Sequence, residues 1–366
     1  MPQLLKVTML MDKFLPSLKP GGTARVGYEL SKALSHLNVE VTLLCRGMKK
    51  QIIVVNPKFI IETFPHYPAY LAPEVLKTKF LRGVDVVHAQ TASAINGVVM
   101  GRLLRKPVVR HMHGLGSRGS ARLAHELTCE LSTRMIAPSE FAKETFPTRY
   151  RNRMEVVNHG VDVQRFKPDS AGDVASRYGL PKNSRVVLSV GRIWRDKGQH
   201  FVVQIMRDIT ASFPDAIYVN AGRVSVSPNY FNELQSLADR VAPGRIKFLF
   251  EVPQDDLIRL INLADVCVHP SLEESFGLAV AEEMSCGKPV IAFNNSSMPE
   301  LIDNGRTGIL VKTANTDGLR KAVLEVLGDT RLAARLGNEA RIKAIDRFSW
   351  ERSAREVISI YDEVSK

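Results

Sequence analysis

Two cations and two carboxylates stand at spacings that suit a phosphorylated sugar. In Ser189-Val190-Gly191-Arg192-Ile193-Trp194-Arg195-Asp196-Lys197-Gly198, Arg192 and Lys197 fall in a turn directly after a β-branched run. Where a strand gives way to a helix, such groups face a crevice, and an anion there, most naturally a diphosphate, meets permanent positive charge. Further on, His269-Pro270-Ser271-Leu272-Glu273-Glu274-Ser275-Phe276-Gly277-Leu278-Ala279-Val280-Ala281-Glu282-Glu283-Met284 again reads as strand, loop and helix. Glu274 lies in the loop and Glu282 inside the helix; were the whole stretch helical, the two would stand ~12 Å apart along the axis. That separation matches the reach from ribose to hexose in a nucleotide-sugar. Between them, backbone amides near Gly277 and Leu278 mark a helix start, whose positive end favours phosphate.

In the first half, the strand Lys6–Leu10 is followed by a long loop ending Pro20-Gly21-Gly22-Thr23-Ala24-Arg25 and then a helix. This is not the tight GxGxxG turn of a dinucleotide fingerprint and argues against an NAD enzyme. Paired glycines before a helix still let a ligand approach backbone amides. Asp255-Asp256, ahead of Leu257 and Ile258, reads as an exposed helix start rather than a metal pair.

These groups need a scaffold. At 366 residues the chain is long enough for two domains. With 45% hydrophobic and 24% charged residues it has the composition of folded globular proteins, which excludes disorder and fibrous repeats. Short β-branched runs alternate with helical patterns, the mark of parallel α/β architecture. Expected strands are Leu5–Leu10, Glu40–Cys45, Val84–His88, Pro107–His111, Met135–Ala137 and Glu155–Asn158, then Val186–Val190, Ala216–Ala221, Ile246–Phe250, Val266–His269 and Pro289–Phe293. Several lack polar alternation, as strands covered on both faces do. The turn-rich stretch from Phe166 to Asp173 interrupts the rhythm and marks the boundary; near the end, Ser349 is placed to cap a last helix.

The net charge of +12 is uneven: residues 1–160 hold 23 basic and 11 acidic side chains, and the remaining 206 hold 27 of each. The excess is clustered, as at Lys49/Lys50, Lys77/Lys79/Arg82, Arg102/Arg105/Lys106 and Arg149/Arg151/Arg153. Cys45, Cys129, Cys267 and Cys286 show no CxxC spacing and are expected to be reduced and structural. No leader pattern or membrane-length apolar window is present, so the expected location is the cytoplasm, or the periphery of the inner membrane face.

Taken in order, GGTARVGYELSKAL, DVVHAQ, PVVRHMHG, VVNHGVDVQRFKP, VGRIWRDKG, ADVCVHPSLEESFGLAVAEEMSCGKPVIAF with MPELIDNGRTGILV, and FSWERSAREVISIYDEV resemble family 4 retaining glycosyltransferases over essentially the full length. The resemblance implies the GT-B fold: two Rossmann-like, doubly wound parallel-sheet domains facing each other across a cleft. Residues 1–168 would form the acceptor-side domain, joined by the helix 350–366, and residues 169–349 the donor-binding domain. It further implies that Arg192 and Lys197 bind the diphosphate and stabilise the leaving nucleoside diphosphate in place of a metal, that Glu282 holds the ribose, and that Glu274 holds donor-sugar hydroxyls. His113 matches the active-site histidine and Gly22 the loop glycine against the phosphate and sugar, while Ser275, Phe276, Gly277 and Leu278 line the donor site. His111 is expected on the opposite strand face in a structural role. Asn294-Asn295-Ser296-Ser297-Met298-Pro299-Glu300 departs from relatives that have Gly-Gly before Pro-Glu, as do Ala221-Gly222-Arg223 and Phe250-Glu251 at positions where glycines are common.

The expected activity is metal-independent, cofactor-free transfer of a hexose-type sugar from a UDP- or GDP-sugar, with retention, to a glycan, lipid-linked or small-molecule acceptor. A GT-B-type epimerase or phosphorylase is the alternative, followed by a basic membrane- or nucleic-acid-binding module. The neutral second half argues against nucleic acid. The basic first half is expected to meet either an anionic acceptor or an anionic lipid surface.

Overall fold

The computed structural model describes residues 4–11, 22–46, 49–64, 83–90, 95–114, 121–222 and 228–366. Pro20, Gly21, Lys77, Lys79, Arg82 and Arg223 lie outside them. The chain divides into two compact units, Met1–Gly160 with Ser349–Lys366, and Val161–Phe348. The division falls at Gly160/Val161 rather than after Pro168. The cause is apolar: Val161 and Phe166 belong to the core of the second unit, and Ser285 Oγ donates to the Phe166 carbonyl at 2.5 Å.

The first unit holds an eight-stranded sheet of β1 (Leu5–Leu10), β2 (Val39–Arg46), β3 (Gln51–Asn56), β4 (Phe59–Phe64), β5 (Val86–Ala89), β6 (Val108–His111), β7 (Arg134–Ala137) and β8 (Met154–Val156), in the order β3-β4-β2-β1-β5-β6-β7-β8. All neighbours are parallel except the edge pair β3 and β4. That hairpin was not among the expected strands. Successive residues of a strand point to opposite faces, and both faces are covered. Val7 and Met9 of β1 pack with Leu30 and Leu34 of the helix Gly22–His36 and with Val357 and Tyr361 of the final helix Trp350–Val364. Leu10 and Val87 pack on the other side with Val98 of the helix Ile95–Leu103. Ser349 caps the final helix, accepting from the Arg352 amide at 3.3 Å.

The second unit is a six-stranded, wholly parallel sheet of β9 (Val186–Val190), β10 (Ile217–Gly222), β11 (Ile246–Phe250), β12 (Val266–His269), β13 (Val290–Phe293) and β14 (Ile309–Val311), ordered β11-β10-β9-β12-β13-β14. Only the three-residue β14 was not anticipated. Cores on each sheet face explain the uninterrupted apolar runs of β9 and β12.

Each sheet has one switch point. In the first, the chain winds outward from β1 through β2 and resumes beside β1 with β5; in the second, it winds outward from β9 and resumes with β12. In open α/β sheets, ligands bind outside the C-terminal strand ends at such points.

Candidate active site

In the second unit, the chain leaves β9 through a single 3₁₀ turn, Arg195–Lys197, and Gly198 then starts the helix Gln199–Ser212 with φ +68°. Gly198 has no room for a side chain, since a Cβ there would stand 2.0 Å from the Pro270 carbonyl oxygen. The Leu272 amide donates to the Asp196 carbonyl at 2.7 Å. Close backbone approach thus fixes the post-β9 turn to the post-β12 loop, and the result is a contact between side chains 77 positions apart: Lys197 Nζ to Glu274 Oε1 at 2.7 Å. Both are about a fifth exposed. Ser271 Oγ donates to the same oxygen at 3.1 Å.

The Glu274 loop is held from beyond as well. Ser297 Oγ lies 3.0 Å from the Glu274 carbonyl and 2.8 Å from that of Phe276, and Asn295 Nδ2 donates to the Ser271 carbonyl at 3.1 Å. The segment that departs from the glycine pattern is therefore what staples the loop, and Ser296 takes the left-handed conformation (φ +51°) that glycine otherwise supplies. Glu251 does the same at φ +56°. Gly277, at φ +99°, precedes the helix Leu278–Ser285. Its first amides, having no partner within the helix, point toward the loop and suit an anion.

Not every anticipated residue offers its side chain. Phe276 is 1% exposed and packs edge-on against Phe348, so only its backbone reaches the loop surface. Glu282 is 3% exposed. Arg192 is exposed, and among the described residues its side chain makes no ion pair. Asp256, expected at an exposed helix start, is buried: it accepts from Arg177 at 2.7 Å and Tyr178 Oη at 3.0 Å, while Asp255 remains in solvent. The helix phase explains the difference, because position 256 turns inward with Leu260.

Beneath the loop lies a pair that pattern reading did not single out. His269 Nε2 and Glu283 Oε2 are 2.6 Å apart, with side chains 7% and 0% exposed. Burial alone would push the imidazole pKa down, but the Glu283 carboxylate outweighs it and the net shift is upward. Burial raises Glu283 in turn, opposed by His269.

In the first unit, Gly22 opens the helix after β1, and a Cβ on Gly27, further along that helix, would meet Met11 Sδ at 2.7 Å and Gln90 Cγ at 3.3 Å. Gln90 follows β5, and its Oε1 lies 2.7 Å from His113 Nε2 beyond β6. His111 does not lie on the opposite face from His113: the rings stack at 4.6 Å and 8°, because residues two apart on an extended strand share a face. His159 packs against both at 5.2 and 5.3 Å, and His88 against His111 at 5.7 Å. Burial is the first cause of low pKa throughout this group. It takes His88, helped by the nearby His113, and His113, helped by Arg110, each down to about 3, and His111 and His159 well below 6.5. Four neutral imidazoles form one cluster. One nitrogen from each of His111, His113 and His159 lies within 4.8 Å of the others, but the rings of His111 and His113 lie in stacked, nearly parallel planes, so their in-plane lone pairs do not meet at one ion as tetrahedral ligands do.

Comparison with known proteins fits this geometry. Residues 20–165 match the model for Glycosyltransferase Family 4, and residues 173–343 that for Glycosyl transferases group 1. The chain is a family 4 glycosyltransferase. Among its relatives, the alpha-maltose-1-phosphate synthase of Mycolicibacterium smegmatis is 29% identical over 99% of this chain and 100% of that protein. The D-inositol 3-phosphate glycosyltransferase of Corynebacterium jeikeium is 31% identical over 58% of this chain, and the match spans 52% of that protein, about half its length. Anabaena HepE, solved in complex with UDP and glucose, superposes with a TM-score of 0.80 at 22% identity, covering 98% of this chain and 99% of that one. The two parallel-sheet units are those of GT-B glycosyltransferases.

Proposed function

We propose that this glycosyltransferase moves a hexose from a nucleoside-diphosphate sugar to a small anionic acceptor, with retention and without a metal or other cofactor. One observation carries the donor half: Lys197, Glu274 and Ser271 are assembled beside the helix start at Gly277 and Leu278, at the switch point of the second sheet. Lys197 and Arg192 supply the cations for charge that grows on the departing diphosphate, and the Leu278 end of the helix adds backbone donors. Such groups accelerate the step because they bind the developing charge more strongly than the ground state. Glu274 then takes sugar hydroxyls, and the family resemblance assigns the ribose to Glu282, although that residue is buried to 3% exposure here.

The acceptor half rests on charge. The first unit carries 26 basic and 15 acidic side chains, the second 24 and 23. The names of some relatives state a sugar or inositol phosphate, and that of another states L-malate, all of them small anions. A basic unit raises the local concentration of an anion and suits a phosphorylated acceptor. A cytoplasmic setting agrees with four buried, free cysteines, and no helix among the described residues is long and apolar enough to cross a membrane.

The deciding experiment pairs UDP-, GDP- and ADP-hexoses with phosphorylated sugars or inositols, with their neutral parents, and with lipid acceptors, with and without EDTA. The expected outcome is an α-linked product from an α-donor, made on the phosphorylated acceptor and unaffected by EDTA. Preference for neutral or lipid acceptors overturns the acceptor reading; inversion or loss of turnover with EDTA overturns the mechanism.

A further inference from the structure

The reading of His113 as an active-site residue leaves open which ring nitrogen carries its proton. The structure answers through a line of buried groups: His88 and Gln90 stand in the DVVHAQ segment and Tyr361 in the closing helix, and the resemblance gives none of them a role. His113 Nε2 lies 2.7 Å from Gln90 Oε1; Gln90 Nε2 lies 3.2 Å from His88 Nε2 and 3.0 Å from Met9 Sδ; His88 Nδ1 lies 2.5 Å from Tyr361 Oη. Gln90, His88 and Tyr361 are each 0% exposed, so no water relaxes the pattern.

The directions follow from donor and acceptor capacity. An amide nitrogen only donates and an amide oxygen only accepts. Met9 sulfur, a weak acceptor, and His88 Nε2 take the two amide hydrogens, which turns Gln90 Oε1 toward His113. A neutral imidazole has one N–H and one lone pair. His88 therefore accepts at Nε2 and donates from Nδ1 to Tyr361 Oη, and His113 donates from Nε2 to Gln90. We infer that Gln90 is a positioning residue: held by Met9 and by His88, itself anchored on Tyr361 of the final helix, it fixes His113 in the Nε2–H form and leaves Nδ1 as its acceptor nitrogen.

In this scheme Nδ1, which is covered in this structure, is the ring nitrogen left to accept a hydrogen bond. Gln90 touches no substrate in this scheme; it acts through His113, as orienting partners of catalytic imidazoles do. The proposal rests on the functional reading above, but its first measurement does not.

The test is the nitrogen-15 spectrum of the His113 ring in the full-length protein at pH 7.5, assigned with His113→Gln. The proton is expected on Nε2, in one tautomer. A proton on Nδ1, or an even mixture, overturns the proposal whatever the activity. Gln90→Leu should mix the tautomers and lower kcat by ~10²-fold with donor KM within about twofold. Unchanged tautomer with unchanged kcat overturns it. If Gln90→Leu does not fold, Tyr361→Phe removes only the Oη at the far end, and His113 must lose its single tautomer there too; a ring spectrum identical to wild type is the contrary result. Near-normal turnover of His113→Ala with the Nε2–H form intact in wild type sinks the active-site role of His113 and leaves the positioning network standing.

Discussion

Lowering the pH from 7.5 to 5.5 should unfold the first unit before the second. His88, His111 and His159 are at most 5% exposed, His113 is partly exposed, and all four have folded pKa values far below 6.5. Burial disfavours the charged ring, so the fold holds the neutral form and the unfolded chain takes up the protons. The stabilisation is thus complete above pH 6.5 and is lost as pH falls below it, at about 1.4 kcal/mol per pH unit for each ring. Over this range each buried ring costs about 1.4 kcal/mol, and with His113 counted at less than full weight the four together cost about 5 kcal/mol. That is as large as the whole stability of many domains, about 5–15 kcal/mol. His125, down to about 4 through burial and Arg110, adds in the same sense. In the second unit His269 works oppositely: its raised pKa gives a stabilisation that is full below 6.5 and fades as pH rises through the folded value. The two tryptophans separate the signals, since Trp350 belongs to the first unit and Trp194 to the second. Urea unfolding followed by fluorescence in Trp194→Phe reports the first unit, and in Trp350→Phe the second. The first unit should lose at least 3 kcal/mol between pH 7.5 and 5.5, and His111→Phe should reduce the linked uptake by about one proton. A loss equal in both units, or uptake of fewer than one proton by the first, refutes the buried-cluster argument.

Other outcomes follow from contacts in the second unit. Lys197→Ala and Glu274→Ala should each lower turnover by ~10²–10³-fold with little change in thermal midpoint; near-normal turnover in either removes the donor-site assignment. Gly198→Ala must place a Cβ 2.0 Å from the Pro270 carbonyl at φ +68°. It should destabilise the second unit by about 2 kcal/mol or more and weaken binding of whichever of UDP, GDP or ADP the wild type binds, read by calorimetry, because the same turn carries Lys197. Asp256→Ala removes the partner of the Tyr178 hydroxyl and one of the two carboxylates on Arg177, which keeps Asp173, and should cost about 1 kcal/mol in chemical denaturation, with the kcat of the remaining folded protein unchanged.

What could be read from the chain alone was what repeats or what carries charge. Apolar runs such as Val186–Val190 and Val266–His269 declare buried parallel strands because both sheet faces are covered, and those strands stand where expected. The Gln51–Phe64 hairpin was missed because it lies outside the alternation of strand and helix, as an antiparallel addition at the sheet edge. Lys197 and Glu274 were legible because charged groups next to strand ends are conspicuous, and the structure brings the two into contact. Gln90, Ser297 and Asn295 stood in segments singled out above but drew no role, since an uncharged side chain bonding a group across 23 positions, as Ser297 and Glu274 do, leaves no period in the sequence. His111 shows a different failure. Its type and position were noted, but its face was misassigned, and the period of two settles it once His113 is placed on β6's continuation.

The departures from the glycine pattern carry the remaining step. Two glycines in place of residues 296 and 297 would meet the left-handed turn without strain, but they would supply no hydroxyl. Here Ser296 accepts φ +51°, at about 1 kcal/mol or more, and Ser297 Oγ sits within hydrogen-bond reach of the carbonyls of Glu274 and Phe276. The loop that bears Glu274 is thereby tied to the segment after β13. If that tie sets the position of Glu274, then Ser297→Gly should change which donor hexose is used more than how fast the preferred base is recognised. Ranking UDP-glucose, UDP-galactose and UDP-N-acetylglucosamine by kcat/KM in wild type and Ser297→Gly measures this: a ratio between sugars shifted by about tenfold, or 1.4 kcal/mol, is the expected result, and an unchanged ranking with uniformly reduced rates shows that the staple serves stability alone.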